Sequence, residues 1–385
     1  MSPRRIFLYV QHLLGIGHFR RAATLARALA SEGMQVTFAT GGLPVPESMP
    51  AGVEVVQLPA ATAADLGFRT LIDEHGNAID DAWRNARREA LLQAWRKSQA
   101  HALIVELFPF GRRQMRFELL PLLEEASRGQ PRPLIVSSVR DVLAHSSPER
   151  QDEMLAMFER YFDSVLVHGD PRLIPFERTF RHALRLGERM HYTGFIVDRS
   201  PLAGGEAGRD EVLVSVGGGA VGAPLLQAAL EARPLTIVRD RTWRLIAGEQ
   251  LPGASFAELR ERAAGDRNVI VERSRADFRT LLQNCAVSVS QAGYNTLMEI
   301  LDCGARSVVV PFSTGKETEQ AMRAGALAAL GRVHVLEEAR LSGEALAAAI
   351  DRAVQGAKPV PAQFDLDGAR NSAEWLARRT AGFHW

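Results

Sequence analysis

Ile6-Phe7-Leu8-Tyr9-Val10-Gln11-His12-Leu13-Leu14-Gly15-Ile16-Gly17-His18 decides the fold. An unbroken apolar run, Ile6 to Val10, reads as a strand buried on both faces of a parallel sheet. The glycines that follow interrupt it. Beyond them Phe19, Ala22, Ala23, Ala26, Leu29 and Ala30 recur at helical spacing, and Gly33 is placed to end that helix. Gln35–Thr40 reads as the next strand. Strand, glycine turn, helix, strand is a βαβ unit.

Working outward, the alternation persists. Strands are expected at Val53–Val56, Ala102–Val105, Leu134–Val139 and Val165–His168. Helices are expected around Ala78–Lys97 and Gln114–Ala126 and after Pro148. Ser200-Pro201-Leu202-Ala203-Gly204-Gly205 shifts to linker composition. A second series then starts with Glu211–Val216 and Gly217-Gly218-Gly219. Its further strands are expected at Leu235–Val238, Val269–Val271, Val287–Ser290, Ser307–Val310 and Val333–Val335, with a last helix near Ala369–Arg379. The fold class is α/β. A chain of 385 residues exceeds what one hydrophobic core usually organises, so two such domains are expected.

Composition narrows the function. A net charge of +1 gives no electrostatic case for nucleic acid. Arg84, Arg87, Arg88, Arg96 and Lys97 read as the solvated face of a helix. Cys285 and Cys303 cannot build a disulfide framework, which fits a reducing compartment. The run after Arg4-Arg5 is shorter than the roughly 7–15 residues of a signal-peptide core. No stretch approaches the ~18 apolar residues of a membrane span. The expected location is the cytoplasm.

Both glycine turns sit where a strand meets a helix, a place suited to anions. The first lacks the third glycine of a dinucleotide fingerprint, since Arg20 stands there. The second strand ends in Thr40-Gly41-Gly42, with no acid for a ribose. A dehydrogenase is disfavoured. His18 reads either as an inconsequential helix-start residue or as a functional group at the mouth of a sheet. Gly217, Gly218 and Gly219, with Gly222 behind them, read as a pyrophosphate site or a plain tight turn. Glu106 and Asp141 end neighbouring strands. Either acid is placed to orient His18 or to bind acceptor. No Gly-x-Ser-x-Gly elbow supports Ser-His-Asp hydrolysis. Asp365-Leu366-Asp367 spells a metal-binding pattern but precedes a helix, so Asp367 reads as an N-cap.

The most telling stretch is Ser290-Gln291-Ala292-Gly293-Tyr294-Asn295-Thr296-Leu297-Met298-Glu299. Pro311-Phe312-Ser313-Thr314-Gly315-Lys316-Glu317-Thr318-Glu319-Gln320-Ala321 follows it after a strand. Together they resemble the donor half of GT-B glycosyltransferases, closest to the family 28 group that forms lipid II and its uncharacterised bacterial relatives. Thr193-Gly194-Phe195-Ile196-Val197 resembles that group's interdomain segment, with Phe195 and Ile196 replacing Asn and Pro. The resemblance implies two Rossmann-like domains facing each other across a cleft. Residues 1–195 would hold the acceptor and 196–365 a nucleotide-sugar, expected to be a UDP-sugar. A terminal helix, 366–385, would cross back to the first domain.

By the same resemblance His18 is the base, and Gln291, Ala292 and Gly293 line the donor, with Gly17, Gly217, Gly218 and Gly219. Glu299 accepts both ribose hydroxyls, while Glu319 and Gln320 contact the sugar. Glu319 departs from the Gln of the group, so the resemblance leaves the donor sugar, N-acetylglucosaminyl or other, open. The mechanism implied is a metal-independent inverting displacement. No cofactor is expected, because the nucleotide-sugar is a substrate. The acceptor is a small molecule or lipid-linked, with at most peripheral membrane contact. Leu13, Leu14 and Phe19 would touch a lipid, and core packing explains them equally. The rival readings are a nucleotide-sugar 2-epimerase, which would need clustered carboxylates such as Glu106 and Asp141, and a non-catalytic nucleotide-sugar-binding protein.

Overall fold

The computed structural model describes residues 3–13, 15–64, 70–199, 205–217, 222–249, 251–312, 318–360 and 363–381. The chain divides into two compact units, Met1–Ile196 with Phe364–Trp385, and Val197–Gln363.

Among the described residues, unit one is built on a seven-stranded parallel sheet. Its strands are β1 (Arg5–Val10), β2 (Gln35–Thr40), β3 (Val53–Gln57), β6 (Ala102–Glu106), β7 (Leu134–Arg140), β8 (Ser164–His168) and β9 (Met190–Tyr192). A short antiparallel hairpin, β4 (Ala61–Ala63) with β5 (Leu71–Asp73), lies between β3 and β6 in sequence. The spatial order is β3-β2-β1-β6-β7-β8-β9. The chain therefore builds outward from β1 in one direction and from β6 in the other.

The apolar run Ile6–Val10 is buried throughout, and its alternation serves both faces of the sheet. Phe7 and Tyr9 pack with Leu91 of α2 (Asp81–Ser98), Leu119 of α3 (Arg116–Ser127) and Phe158 of α4 (Pro148–Tyr161). Ile6, Leu8 and Val10 pack with Ala22 and Ala26 of α1 (Gly17–Ser31). Each fully buried large side chain contributes about 1.5–3 kcal/mol. One-residue slippage of β1 would exchange the two sets, so its register is pinned from both sides. A one-turn helix, α5 (Ala183–Leu186), precedes β9.

Unit two repeats the plan with six parallel strands among its described residues. They are β10 (Val212–Ser215), β11 (Trp243–Ile246), β12 (Val269–Glu272), β13 (Val287–Gln291), β14 (Ser307–Val310) and β15 (His334–Val335), in the order β12-β11-β10-β13-β14-β15. Its helices are α6 (Ala223–Ala232), α7 (Gly253–Ala263), α8 (Phe278–Asn284), α9 (Tyr294–Cys303), α10 (Glu319–Ala329) and α11 (Gly343–Gln355).

One expected strand is displaced. Leu235–Val238 is not a strand: Arg233–Leu235 forms a 3₁₀ turn, with Leu235 and Ile237 53% and 57% exposed. The strand is β11, where Trp243 and Leu245 are fully buried. Arg244 breaks the apolar run there and hides it. Its guanidinium is held by Glu211 just before β10, at 2.6 Å, and Glu272 at the end of β12, at 2.7 Å. The charge is thus satisfied within the sheet.

The last helix, α12 (Gly368–Arg379), belongs to unit one. Ala373 and Leu376 are buried in the α1 face of the sheet. The segment leading into it pairs with the end of unit one's first portion: the Phe195 amide donates to the Asp365 carbonyl at 2.7 Å, and the Gly368 amide to the Phe195 carbonyl at 3.0 Å. Asp367 stands at the N-cap position, yet its side chain makes no capping bond there, because its backbone (φ −95°, ψ 24°) is not the extended conformation that aims a cap. Asp365 organises the turn instead, accepting from the Asp367 amide at 2.9 Å and from Asn371 Nδ2 at 2.8 Å. Among the described residues, no helix is long and apolar enough to cross a membrane.

Candidate functional site

In each unit the chain reverses its build direction between two adjacent strands, β1 and β6 in one, β10 and β13 in the other. Ligands of open α/β sheets bind beyond the carboxyl ends of such strand pairs. His18 and Glu106 lie at the first of these places, and Gly217 and Gln291 at the second, while Asp141 follows β7 and Glu319 and Gln320 follow β14.

In unit one, His18 lies in the first turn of α1, directly after β1, and Glu106 is the last residue of β6. The two strands are hydrogen-bonded neighbours. Their side chains meet, with His18 Nδ1 2.7 Å from Glu106 Oε1. Arg21, one turn further along α1, donates to the same carboxylate oxygen, and its Nη2 lies 3.4 Å from His18 Nδ1. Glu106 is 1% exposed and His18 20%. Burial alone would raise the Glu106 carboxyl, but the His18 ring and the Arg21 guanidinium reverse this and hold it below the usual carboxylate range. Burial pushes the imidazole far below its usual value, beyond what Glu106 restores, and Arg112 pushes the same way. An ionised carboxylate only accepts, so Nδ1 carries the proton and Nε2 the lone pair. Nε2 has no hydrogen-bond partner among the described residues. The ring is thus disposed as a neutral imidazole with its Nε2 lone pair unused among the described residues.

Asp141, just past β7, is fully buried and accepts from the Val142 amide at 3.0 Å. Glu106 is the acid in contact with His18. One strand further, His168 is clamped between Ser138 Oγ at 2.7 Å and Thr193 Oγ1 at 2.8 Å, and its burial lowers it to about 3. Gly17, which opens α1, is exposed. Leu13 and Phe19 are 5% and 3% exposed, so they belong to the core. Leu14 lies outside the described residues.

The end of β2, where a dinucleotide enzyme would hold a ribose, is filled by the protein itself. Arg87, expected on a solvated face, is fully buried there. It donates to Glu118 at 2.7 and 2.9 Å, to Gln11 Oε1 at 2.5 Å and to the Gly41 carbonyl at 2.8 Å. Tyr9 donates to the same Glu118 at 2.5 Å. A Cβ at Gly41 would stand 2.1 Å from Arg87 Nη2, so that glycine makes room for the guanidinium.

In unit two, Gly217 follows β10 with φ +67°, a left-handed turn that turns the chain away from the strand. Gly218 and Gly219 lie outside the described residues. Gln291 ends β13 half-buried, Ala292 is fully buried, and Gly293 occupies the N-cap position of α9. Gly293 has φ −61°, and a Cβ built on it meets nothing within 4 Å. Neither backbone conformation nor packing requires a glycine there. Ser215 and Ser290 are cross-strand partners at the strand ends, and their buried hydroxyls have no partner among the described residues. Glu299 lies half-buried on α9. Glu319 opens α10 at 6% exposure, and Gln320 Oε1 accepts from the Phe312 amide at 3.1 Å, tying α10 to the end of β14. Arg323, fully buried, stands 5.1 Å above the ring of Tyr294, which begins α9. The starts of α9 and α10 are thereby fixed to one another.

Sequence reasoning passed over Arg21, Arg112, His168 and Arg323. Arg21 carried a usable signal, since it stands three residues after His18, a spacing that puts both on one helix face.

Comparison with known proteins bears on the fold and on the second unit. Residues 213–371 match the glycosyltransferase family 28 C-terminal domain. A UDP-N-acetylglucosamine–N-acetylmuramyl-(pentapeptide) pyrophosphoryl-undecaprenol N-acetylglucosamine transferase of Bacillus subtilis is 31% identical over 146 residues, 38% of this chain and 40% of that protein. The match thus spans about two fifths of the relative's length. Among solved structures, the calicheamicin glycosyltransferase CalG4 is similar at a TM-score of 0.60 and 17% identity, covering 99% of this chain and 94% of its own. MurG of Acinetobacter baumannii gives 0.55 and 14%, covering 98% and 100%. Likeness of that extent shows that the fold is that of GT-B glycosyltransferases.

Proposed function

We propose that this chain, which carries a family 28 glycosyltransferase C-terminal domain, transfers a sugar from a nucleotide-sugar, expected to be a UDP-sugar, to an acceptor nucleophile. The observation that carries the reading is the 2.7 Å contact between His18 and Glu106 at the switch point of unit one. A histidine kept neutral with Nδ1–H fixed can take the acceptor proton at Nε2. The adjacent carboxylate then stabilises the imidazolium that forms, as an orienting acid does in a catalytic triad.

The acceptor oxygen attacks the anomeric carbon. Its bond forms as the bond to the leaving phosphate oxygen breaks, which inverts the configuration and releases the nucleoside diphosphate. Unit two supplies the donor side. Glu299, a two-oxygen acceptor, suits the paired hydroxyls of a ribose, and Glu319 and Gln320 are assigned to the sugar. Amides at the helix start behind Gly293 and in the turn at Gly217 are assigned to the departing pyrophosphate, whose charge the positive end of a helix favours. The family 28 match over 213–371 supports the donor assignment. No divalent ion is assigned a role, and Asp365 is committed to the turn before α12.

The test is product analysis with a panel of UDP-sugars in EDTA, with and without candidate acceptors. The expected result is slow release of UDP to water alone and faster release with acceptor, the sugar inverted on the product. Conversion to a 2-epimer without UDP release would make the protein an epimerase, and intact sugar under every condition a binding protein. Release that needs added Mn²⁺ or Mg²⁺ would overturn the metal-free mechanism.

A further inference from the structure

The loop after β6 holds Arg112, a cation whose buried fork has no hydrogen-bond partner among the described residues. Leu107 and Arg112 both adopt left-handed backbone, φ 65° and 56°, although neither is glycine. Between them Gly111 packs so closely on the Leu107 side chain that a Cβ would stand 2.8 Å from it. The loop thus holds Arg112 in a conformation that costs energy. Its Nε and Nη2 are buried, and neither has a hydrogen-bond partner among the described residues.

Those two nitrogens form one edge of the guanidinium, the edge that grips a pair of oxygens in parallel. Elsewhere in the same unit that edge is in use: Arg87 gives Nε and Nη2 to the two oxygens of Glu118, at 2.7 and 2.9 Å. Arg112 presents the same fork with no partner among the described residues. Glu106 favours the charged guanidinium, while Arg140 and Arg21 oppose it. The Glu106 Oε1 already serves His18 and Arg21. The start of α1, with His18 in its first turn, adds the positive end of a 15-residue helix.

We propose that Arg112 forms, beside His18, a binding site for an oxyanion of the acceptor, a phosphate or carboxylate gripped side-on through Nε and Nη2. The site would select acceptors bearing such a group and place their nucleophile at the base. The assignment of the oxyanion to the acceptor rests on the transferase reading. The oxyanion site itself stands on the unpaired fork.

The experiment is thermal unfolding of the full chain, with saturating UDP present to occupy the donor site. Inorganic phosphate and acetate are titrated separately against chloride of equal ionic strength. The parent should show a saturable rise in Tm with at least one of them, since a ligand bound only by the native state stabilises it; which one responds distinguishes a phosphoryl from a carboxyl group. Arg112→Lys keeps the charge but loses the fork, and should weaken that response by about tenfold. Arg112→Met should abolish it, while the Tm shift due to UDP stays the same in all three proteins. A parent that responds to neither anion beyond chloride would overturn the proposal. In that case a water bridging Arg112 to the buried, unpartnered Glu106 Oε2 fits better. An Arg112→Met protein that responds like the parent would also overturn it. Should Arg112→Met fail to fold, equal affinity in Arg112→Lys and the parent decides against it. Absence of any UDP shift in the parent counts against the transferase reading, while the comparison among Arg112 variants still reads the oxyanion site.

Discussion

His12, His18 and His168 share a state unusual for histidine: each is neutral because burial penalises its charge. His12 is lowered to about 4 and His168 to about 3, and His18 lies far below its usual value despite Glu106. In the unfolded chain they titrate near 6.5. Between those limits the unfolded state binds more protons, so stability rises with pH. The stabilising contribution is complete above about 6.5 and is lost as pH falls toward the folded values. At pH 5 the loss is about 2 kcal/mol per histidine at most, and smaller for His18, a fifth of which is exposed. Glu106 does not offset this, since its lowered value keeps it ionised throughout that window. Urea unfolding at pH 7.5 and pH 5 should show the drop, and His168→Gln should flatten it. Equal stability at the two pH values would mean that these rings are not held neutral by burial. At this scale the sequence showed residue types and spacings but not partners. His18 beside two glycines was legible. That Glu106, 88 residues further along the chain, lies against it, and Asp141 does not, depends on β1 and β6 being neighbours.

At the scale of elements, apolar runs and glycine punctuation were enough to locate most strands, because parallel strands buried on both faces leave little else to read. The exception is instructive. β11 carries Arg244 in mid-strand, and the two acids beside it, Glu211 just before β10 and Glu272 at the end of β12, make that tolerable. A single-chain pattern has no access to such cross-strand neutralisation, so the more apolar Leu235–Val238 looked like the strand. The entry to α12 shows a second limit. Gly368 meets Gly194 so closely that a Cβ would stand 2.3 Å from the Gly194 carbonyl oxygen. Backbone cannot step aside as a flexible side chain can. Gly368→Ala should therefore cost about 1–3 kcal/mol or more. Gly325→Ala, exposed in α10 with nothing within 4 Å of the new atom, should instead stabilise by about 0.5–1 kcal/mol. Chemical denaturation of both variants checks the pair. A neutral Gly368→Ala would show that the α12 entry is not packed against 194–195 in solution.

Over the whole molecule, the same design appears twice: a parallel sheet, a reversal of build direction, and a glycine turn beside it. The glycine turns were visible in the sequence. The reversals beside them were not, since strand order is a property of tertiary packing. In the proposed function proton transfer belongs to unit one and donor binding to unit two, and a single variant separates those roles most directly. His18→Ala should lower kcat by roughly 10²–10⁴, the usual range for loss of a general base. UDP affinity and Tm should stay close to the parent's, because the role belongs to the transition state and not to ground-state binding. The decisive measurement is kcat of purified, folded His18→Ala with UDP affinity recorded on the same sample. A stable variant that binds UDP and turns over near the parental rate would contradict the account.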